Sequence, residues 1–121
     1  MPADGKPWPS ELRVKAAEKT LEIDFDDGSR FRLPFELLRV ESPSAEVRGH
    51  GAEQKVIVAG KRRVGVKAVE PVGNYAVRIV FDDGHDTGIY SWSYLHELGR
   101  TQDAVWRAYT DALAARGLAR D

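Results

Sequence analysis

Residues 74–99 of the chain read NYAVRIVFDDGHDTGIYSWSYLHELG, and this stretch decides the fold. An alternating pattern with a period of two puts one row of side chains on a core. The row consists of Tyr75, Val77, Ile79 and Phe81. The next residues, Asp-Asp-Gly, tolerate positive φ, so the chain is expected to reverse at Gly84 and return as an antiparallel partner. The stretch therefore predicts a β-hairpin.

Helix signals follow the hairpin. Ser91 can cap a short helix that ends at Gly99, because glycine readily adopts the left-handed conformation found at helix ends. Thr101 can cap a second helix with an apolar stripe, which Gly117 would end. These signals predict a short helix and a separate C-terminal helix that covers the sheet.

A similar unit occurs earlier in the chain. Residues 23–38, IDFDDGSRFRLPFELL, repeat the order strand, Phe-Asp-Asp-Gly turn, strand and short helix seen from Ile79 onward. Pro34 is suited to the first turn of its helix. Two such units could bury their apolar faces against each other, so an internal pseudo-repeat is predicted. Convergence on a common hairpin is the alternative.

The remaining segments complete an α+β domain with an antiparallel-dominated β-sheet of about seven short strands, two short helices and a C-terminal helix. Three further strands are predicted at residues 11–14, 55–59 and 64–70. Residues 41–54 have the Ser, Gly and Pro content of a mobile surface loop. The predicted organisation is a flexible tail at 1–10, a domain at 11–99, and a C-terminal helix at 100–121 packed on that domain.

Composition narrows the function classes. The chain has 121 residues, which suits one domain, and a net charge of -1, which gives no field for nucleic acid or anionic membranes. It has no cysteine, so disulfides and thiolate metal sites are excluded. No apolar run reaches the ~20 residues of a membrane span, and we expect a cytoplasmic protein.

One polar turn stands out as a candidate site. His85 lies among carboxylates, and Asp83, Asp86 and the loop residue His50 could join it as hard ligands for iron(II) or manganese. A solvated turn histidine with acidic neighbours is the competing interpretation. His96 is explained by a position near the negative end of a short helix. The residues proposed as a ligand or partner surface are Asn74, Arg78, Tyr90 and Trp92.

Three separated runs resemble a known family. They are LRVESPSAEVRGHG at 38–51, EPVGNY at 70–75 and FDDGHDTGIYSW at 81–92. Together they closely resemble the gamma-butyrobetaine-hydroxylase-like N-terminal domain family over residues 11–99. In the hydroxylases this domain precedes a 2-oxoglutarate oxygenase domain. The oxygenase's own iron triad is not expected here, since Thr87 stands where its Asp would follow His85.

The resemblance also implies a structural zinc, held in the hydroxylases by three cysteines and one histidine. His85 falls on the histidine, whereas Ser42, Ser44 and Val47 fall on the cysteine positions. Neither Ser nor Val replaces a thiolate, so the family's structural zinc is not expected in this chain. Any cofactor is left open, with iron as one option.

Two functional classes follow. Stand-alone bacterial members of the family resemble this chain in length and have no assigned function, and some relatives are fused to P-loop ATPases that handle iron-sulfur clusters. The first hypothesis is a non-catalytic accessory, interaction or metal-associated domain, whose partner by analogy is such an ATPase. The alternative is a small metal- or ligand-binding enzyme domain that uses the His85 turn.

Overall fold

The computed structural model describes residues 6–48 and 55–121. Six strands and three helices occur in these ranges, and their order along the chain is β1 (Pro9–Lys15), β2 (Thr20–Phe25), β3 (Arg30–Pro34), α1 (Phe35–Val40), α2 (Ala45–Arg48), β4 (Val66–Val72), β5 (Ala76–Phe81), β6 (Gly88–Ser91) and α3 (Trp92–Ala115). The α+β class is therefore confirmed. None of the helices in the described ranges is long and apolar enough to cross a membrane.

The strands form two three-stranded antiparallel sheets rather than one sheet. The first has the order β1-β2-β3 and the second the order β4-β5-β6. About seven strands were predicted, and the difference lies in residues 55–59, which form no strand. Strand β1 also begins at Pro9, so the end of the predicted tail belongs to the sheet.

The two sheets have the same turn between their second and third strands. Gly28 and Gly84 have φ values of 88° and 92°, which is why glycine is suited to both positions. In the first turn the Phe25 amide donates to the Ser29 carbonyl at 2.9 Å, and in the second the Phe81 amide donates to the His85 carbonyl at 3.0 Å. The pseudo-repeat is thus visible as two equivalent meanders, each followed by a helix.

The larger of two hydrophobic clusters in the described residues contains side chains from both sheets. Alternation along β2 and β5 buries a row of apolar side chains from each, and these meet residues of α1 and α3. The most fully buried members include Ile23, Leu33, Leu38, Ile79, Tyr90 and Leu95. Tyr75 is an exception to the predicted row, because it lies in the turn before β5 and is 56% exposed. Burial in this core is the main stabilising contribution to the fold.

The two predicted C-terminal helices are one continuous helix. Ser91 caps α3 as predicted, since its hydroxyl accepts from the Tyr94 amide at 3.1 Å. The helix continues through Gly99, and the Thr101 hydroxyl donates to the Glu97 carbonyl inside it instead of capping a new one. His96 is therefore the fifth residue of α3, near its N-terminal end, and its Nε2 lies 2.9 Å from Asp27 Oδ2. The cap-type role predicted for His96 was wrong.

Gly99 is explained by packing rather than by helix termination. A Cβ at this position would lie 2.3 Å from Cγ of Phe31, so only glycine lets this ring pack against the helix. Glycine inside a helix normally costs ~1 kcal/mol relative to alanine. Close packing therefore outweighs helix propensity at this position.

We expect Gly99→Ala to destabilise the protein by ~1–3 kcal/mol, because the new methyl group forces Phe31 out of its place. Urea denaturation would measure the change. The double variant Gly99→Ala with Phe31→Ala removes the clash, so the alanine substitution should then become neutral or stabilising. A stabilised single variant would show that the ring moves aside at no cost.

Candidate functional site

Residues 41–48 pack closely against the body of the domain. They were predicted as the start of a mobile loop with little to bury, but Ser42 is 0% and Val47 2% exposed, and α2 lies within the segment. Residues 49–54, which complete the predicted loop and include His50, lie outside the described residues. The composition of 41–48 was misleading because its serines form hydrogen bonds inside the protein.

His85 is the centre of this packing. Its side chain is buried, with Nε2 2.9 Å from the Ser42 hydroxyl and Nδ1 3.0 Å from Glu46 Oε2. The interpretation of a solvated turn histidine was therefore wrong. An ionised Glu46 accepts a hydrogen bond from Nδ1–H, which leaves Nε2 to accept from the serine. Both ring nitrogens are thus satisfied within the protein.

Two further side chains extend these contacts. The hydroxyls of Ser44 and Thr87 lie 2.7 Å apart, and the Thr87 hydroxyl donates to Glu46 Oε1 at 3.2 Å. The Ser44 amide donates to the Ser42 hydroxyl at 3.2 Å, and the Glu46 amide donates to the Ser44 hydroxyl at 3.2 Å. The segment and the hairpin turn are joined by these side chains. Glu46 and Thr87 had not been predicted as site residues.

Of the predicted metal ligands in the described part of the chain, Asp83 and Asp86 pair with basic side chains. Asp83 Oδ2 pairs with Arg39 Nε at 2.8 Å and with Lys61 Nζ at 2.7 Å, while Asp83 Oδ1 accepts from the His85 amide at 3.0 Å. The nearest cation to Asp86 is Arg78, at 3.7 Å. Within residues 6–48 and 55–121, no three His, Asp or Glu side chains are grouped as metal ligands.

Asp83 instead forms a charged anchor under the turn. Burial alone would raise the pKa of its carboxyl, but hydrogen bonds from Lys61, the His85 amide and Arg39 hold it at about 2, below the ordinary 3.8. The contribution to stability is therefore fully present above pH 4 and is lost as the pH falls through about 2.

We expect Asp83→Asn to lower the free energy of unfolding at neutral pH by ~1 kcal/mol, because it weakens the interactions that hold the pKa of Asp83 at about 2 and solvent screens part of their energy. Its stability should then fall less steeply than that of the wild type between pH 4 and pH 2. Urea titrations across that range would measure both effects. Asp103→Asn, on an exposed part of α3, is the control. Parallel pH profiles for wild type and Asp83→Asn would contradict the expectation.

Tyr90, predicted to lie on a partner surface, is instead part of the core. It is 0% exposed, and its hydroxyl donates to the Leu38 carbonyl at 2.5 Å. Burial raises its pKa far above the usual value. Tyr94, one turn into α3, donates to the Glu41 carbonyl and contacts Arg48. Both tyrosines thus fix the segment that contains Ser42.

Two of the other predicted surface residues, Asn74 and Trp92, lie at an aromatic cleft. Trp92 Nε1 donates to the Asn74 carbonyl at 2.9 Å, and the Trp92 amide donates to the Tyr75 carbonyl at 3.1 Å. Trp8 packs edge-on against Trp92, with ring centroids 6.4 Å apart. The cleft has a volume of about 380 Å³. Arg78 is engaged separately, with Glu70 and the Asp86 carbonyl.

The donor set does not fit the zinc that the family resemblance implies. Ser42 and Ser44 offer hydroxyls and Val47 offers no donor atom, whereas structural zinc takes thiolates and imidazoles. Both nitrogens of His85 are also engaged in hydrogen bonds. No zinc-dependent role is therefore derived for this chain.

Comparisons with known proteins agree with this fold. The family model described as gamma-butyrobetaine hydroxylase-like, N-terminal, matches residues 12–96. No curated protein matches the chain. Two proteins with NMR solution structures are 45% and 48% identical. The first has a TM-score of 0.84 and covers 97% of this chain and 92% of its own, and the second has a TM-score of 0.83 and covers 99% and 89%.

A crystal structure from Acidithiobacillus ferrooxidans is also similar. That protein is described as one of unknown function in the DUF971 family. It is 45% identical, with a TM-score of 0.64, over 75% of this chain and 91% of its own. The family model covers more than half of the sequence, including the His85 turn and the residues that pack on it. This chain belongs to the gamma-butyrobetaine hydroxylase-like N-terminal domain family.

Proposed function

We propose that this protein is a non-catalytic accessory domain of the cytoplasm that binds a protein partner through its aromatic cleft. The observation that carries the proposal is the grouping of Trp8, Tyr75 and Trp92 around one cleft, with Tyr75 56% exposed. Tryptophan and tyrosine are enriched among the residues that dominate binding energy at interfaces. An exposed aromatic group of this kind favours recognition over catalysis.

The cleft is held in place before any partner binds. The Trp8 amide donates to Asp26 Oδ1 at 3.0 Å, and the Asp26 amide donates to the Trp8 carbonyl at 2.8 Å, which attaches the N-terminal segment to the first sheet. Trp92 is fixed by its indole hydrogen bond to Asn74. A preorganised surface loses less conformational entropy on binding, so its contacts contribute more of their energy to affinity.

The proposed partner is a P-loop ATPase that handles iron-sulfur clusters. This choice rests on the family resemblance, in which some relatives are fused to such ATPases, and is an analogy. Under this proposal the association with iron is indirect, because the ATPase carries the cluster chemistry. The domain would contribute the docking surface.

Calorimetric titration with an iron-sulfur P-loop ATPase encoded in the same genome would test the proposal. We expect binding by the wild type and a loss of at least ~10-fold in affinity for Trp8→Ala with Tyr75→Ala, as removal of interface aromatics predicts. Ile89→Ala is the matched control, since Ile89 is 45% exposed and lies outside the cleft. Absence of wild-type binding would reject this partner, and equal binding by the double variant would reject the cleft.

The alternative is an enzyme that uses the His85 turn. One observation favours it. The Ser42 hydroxyl contacts the His85 imidazole at 2.9 Å, and the imidazole contacts the Glu46 carboxylate at 3.0 Å, as in a catalytic triad. Burial argues against it, because Ser42 is 0% exposed and its hydroxyl also accepts from the Ser44 amide. A substrate carbonyl cannot approach a nucleophile enclosed in this way.

A fluorophosphonate probe separates the two functions. Such probes label activated serines, and we expect no labelling of the wild-type protein above that of Ser42→Ala. Stoichiometric labelling at Ser42 would instead identify a hydrolase and overturn the non-catalytic proposal.

A further inference from the structure

Five polar side chains, from residues 42–46 and 85–87, form a ring of hydrogen bonds that the Ser44 amide closes. Going round the ring, the members are Ser42, His85, Glu46, Thr87 and Ser44, with the last returning to the first through its amide. The distances are 2.9, 3.0, 3.2, 2.7 and 3.2 Å in that order. We call this arrangement the polar ring.

One assignment of protons satisfies every member of the polar ring. The imidazole donates from Nδ1 to Glu46 and accepts at Nε2 from the Ser42 hydroxyl, which itself accepts from the Ser44 amide. The Thr87 hydroxyl donates to Glu46 and accepts from the Ser44 hydroxyl. Each hydroxyl thus donates once and accepts at least once. Ser42, Ser44 and His85 are buried, whereas Glu46 and Thr87 lie at the surface. A network whose buried members all have hydrogen-bond partners is stabilising and favours one geometry.

The ring joins two parts of the chain that are distant in sequence. Ser42, Ser44 and Glu46 lie on the segment between α1 and the end of α2, whereas His85 and Thr87 lie in the turn between β5 and β6. Sequence separations across the ring are 39 to 43 residues. In small domains a structural metal can cross-link distant parts of the chain. Here hydrogen bonds make the cross-link.

The spacing of the segment also matters. Positions 42, 44 and 47 run along one buried stretch, where Val47 is 2% exposed and its amide donates to the Ser44 carbonyl at 3.0 Å. Two of these positions already place an oxygen atom in the ring that includes His85. Positions 44 and 47 have the spacing of a C-x-x-C pair, and three thiolates with one imidazole are a common set of zinc ligands.

We propose that the polar ring takes the structural place of a metal in this chain, and that its backbone still holds positions 42, 44 and 47 in a geometry that can bind one. The protein therefore folds without zinc. Cysteines at those three positions, together with His85, create a tetrahedral site.

Cobalt(II), a spectroscopic substitute for zinc, tests the second half of the proposal. The untagged triple variant Ser42→Cys, Ser44→Cys, Val47→Cys is titrated with cobalt(II) under reducing conditions. We expect one equivalent to bind, with the intense visible bands of tetrahedral thiolate coordination, and at least ~1,000-fold more tightly than to the wild type. The same variant with His85→Ala should lose the tetrahedral spectrum.

Thermal melts test whether the polar ring takes the place of a metal, and they do not require the cysteine variant. The wild-type midpoint should be unchanged by a strong chelator, while Ser42→Ala and Thr87→Val should each lower it by several degrees, since each opens the ring. Chelator-sensitive melting of the wild type, or unchanged melting of both ring variants, would overturn the metal-free ring. If cobalt(II) neither folds the triple variant nor gives it a tetrahedral spectrum, the proposed ligand geometry is wrong.

Discussion

Phe81→Ala is expected to lower the free energy of unfolding by ~3–5 kcal/mol, the cost of replacing a fully buried phenylalanine by alanine. Phe81 is 1% exposed at the end of β5, where its ring lies 6.0 Å from the His85 ring. Loss of the Phe81 ring removes packing in the core and also removes support for the turn. Urea denaturation monitored by circular dichroism would measure the change.

Two variants serve as controls for Phe81→Ala. Phe81→Leu keeps most of the apolar volume, so its cost should stay near 1 kcal/mol. Tyr75→Ala removes an aromatic ring of similar size from an exposed position in the same hairpin and should change stability by less than ~0.5 kcal/mol. A cost below 1 kcal/mol for Phe81→Ala would mean that the two sheets do not share the core described above.

The hairpins could be predicted because their signals are local. Glycine at positions 28 and 84 supplies the positive φ that each turn requires, and the period of two in β2 and β5 fixes which side chains face the core. The helix after β6 was divided wrongly for a related reason. Gly99 and Thr101 look like a stop and a start, but contact with Phe31 explains the glycine inside a continuous helix. A tertiary contact overrides the local signal there.

The candidate site was only partly predictable. His85 was singled out from its neighbours in sequence, and the family resemblance pointed to positions 42, 44 and 47. Ser42 contacts His85 directly, while Ser44 contacts Ser42 and Thr87. Glu46 had no such signal, since a carboxylate within the predicted loop at residues 41–54 resembles any solvated charge. Its partnership with His85 depends on packing across 39 residues. Contacts of that range are set by the fold and are not encoded in local patterns.

The C-terminal residues form a second anchor that sequence patterns did not indicate. Arg120 makes two hydrogen bonds to Glu36, at 2.9 and 2.7 Å, and its guanidinium lies 5.1 Å from the centre of the Trp106 ring. Glu36 is only 6% exposed, on α1. The Gly60 amide donates to the Ala119 carbonyl and the Arg62 amide donates to the Arg120 carbonyl, both at 3.0 Å. These bonds hold the C-terminal tail, residues 118–121, beside the turn at residues 60–63.

We expect Arg120→Ala to destabilise the protein by about 3 kcal/mol, because it leaves the carboxylate of Glu36 buried without its partner. The arginine side chain is 33% exposed, which puts the expected cost at the lower end of the range for buried pairs. Arg120→Lys should recover only part of the loss, since an ammonium group cannot make both hydrogen bonds in the same plane. Urea denaturation of residues 1–121 would measure each variant.

Arg62→Ala is the matched control for Arg120→Ala, since Arg62 pairs with Asp121 in the same tail while both side chains are largely exposed, at 44% and 58%. Exposed pairs of this kind contribute less than ~1 kcal/mol. The double variant Glu36→Gln with Arg120→Ala removes the buried charge as well, so it should be more stable than Arg120→Ala alone. If Arg120→Ala costs no more than Arg62→Ala, the tail does not pair with α1 in solution, and the buried carboxylate must be satisfied by another group.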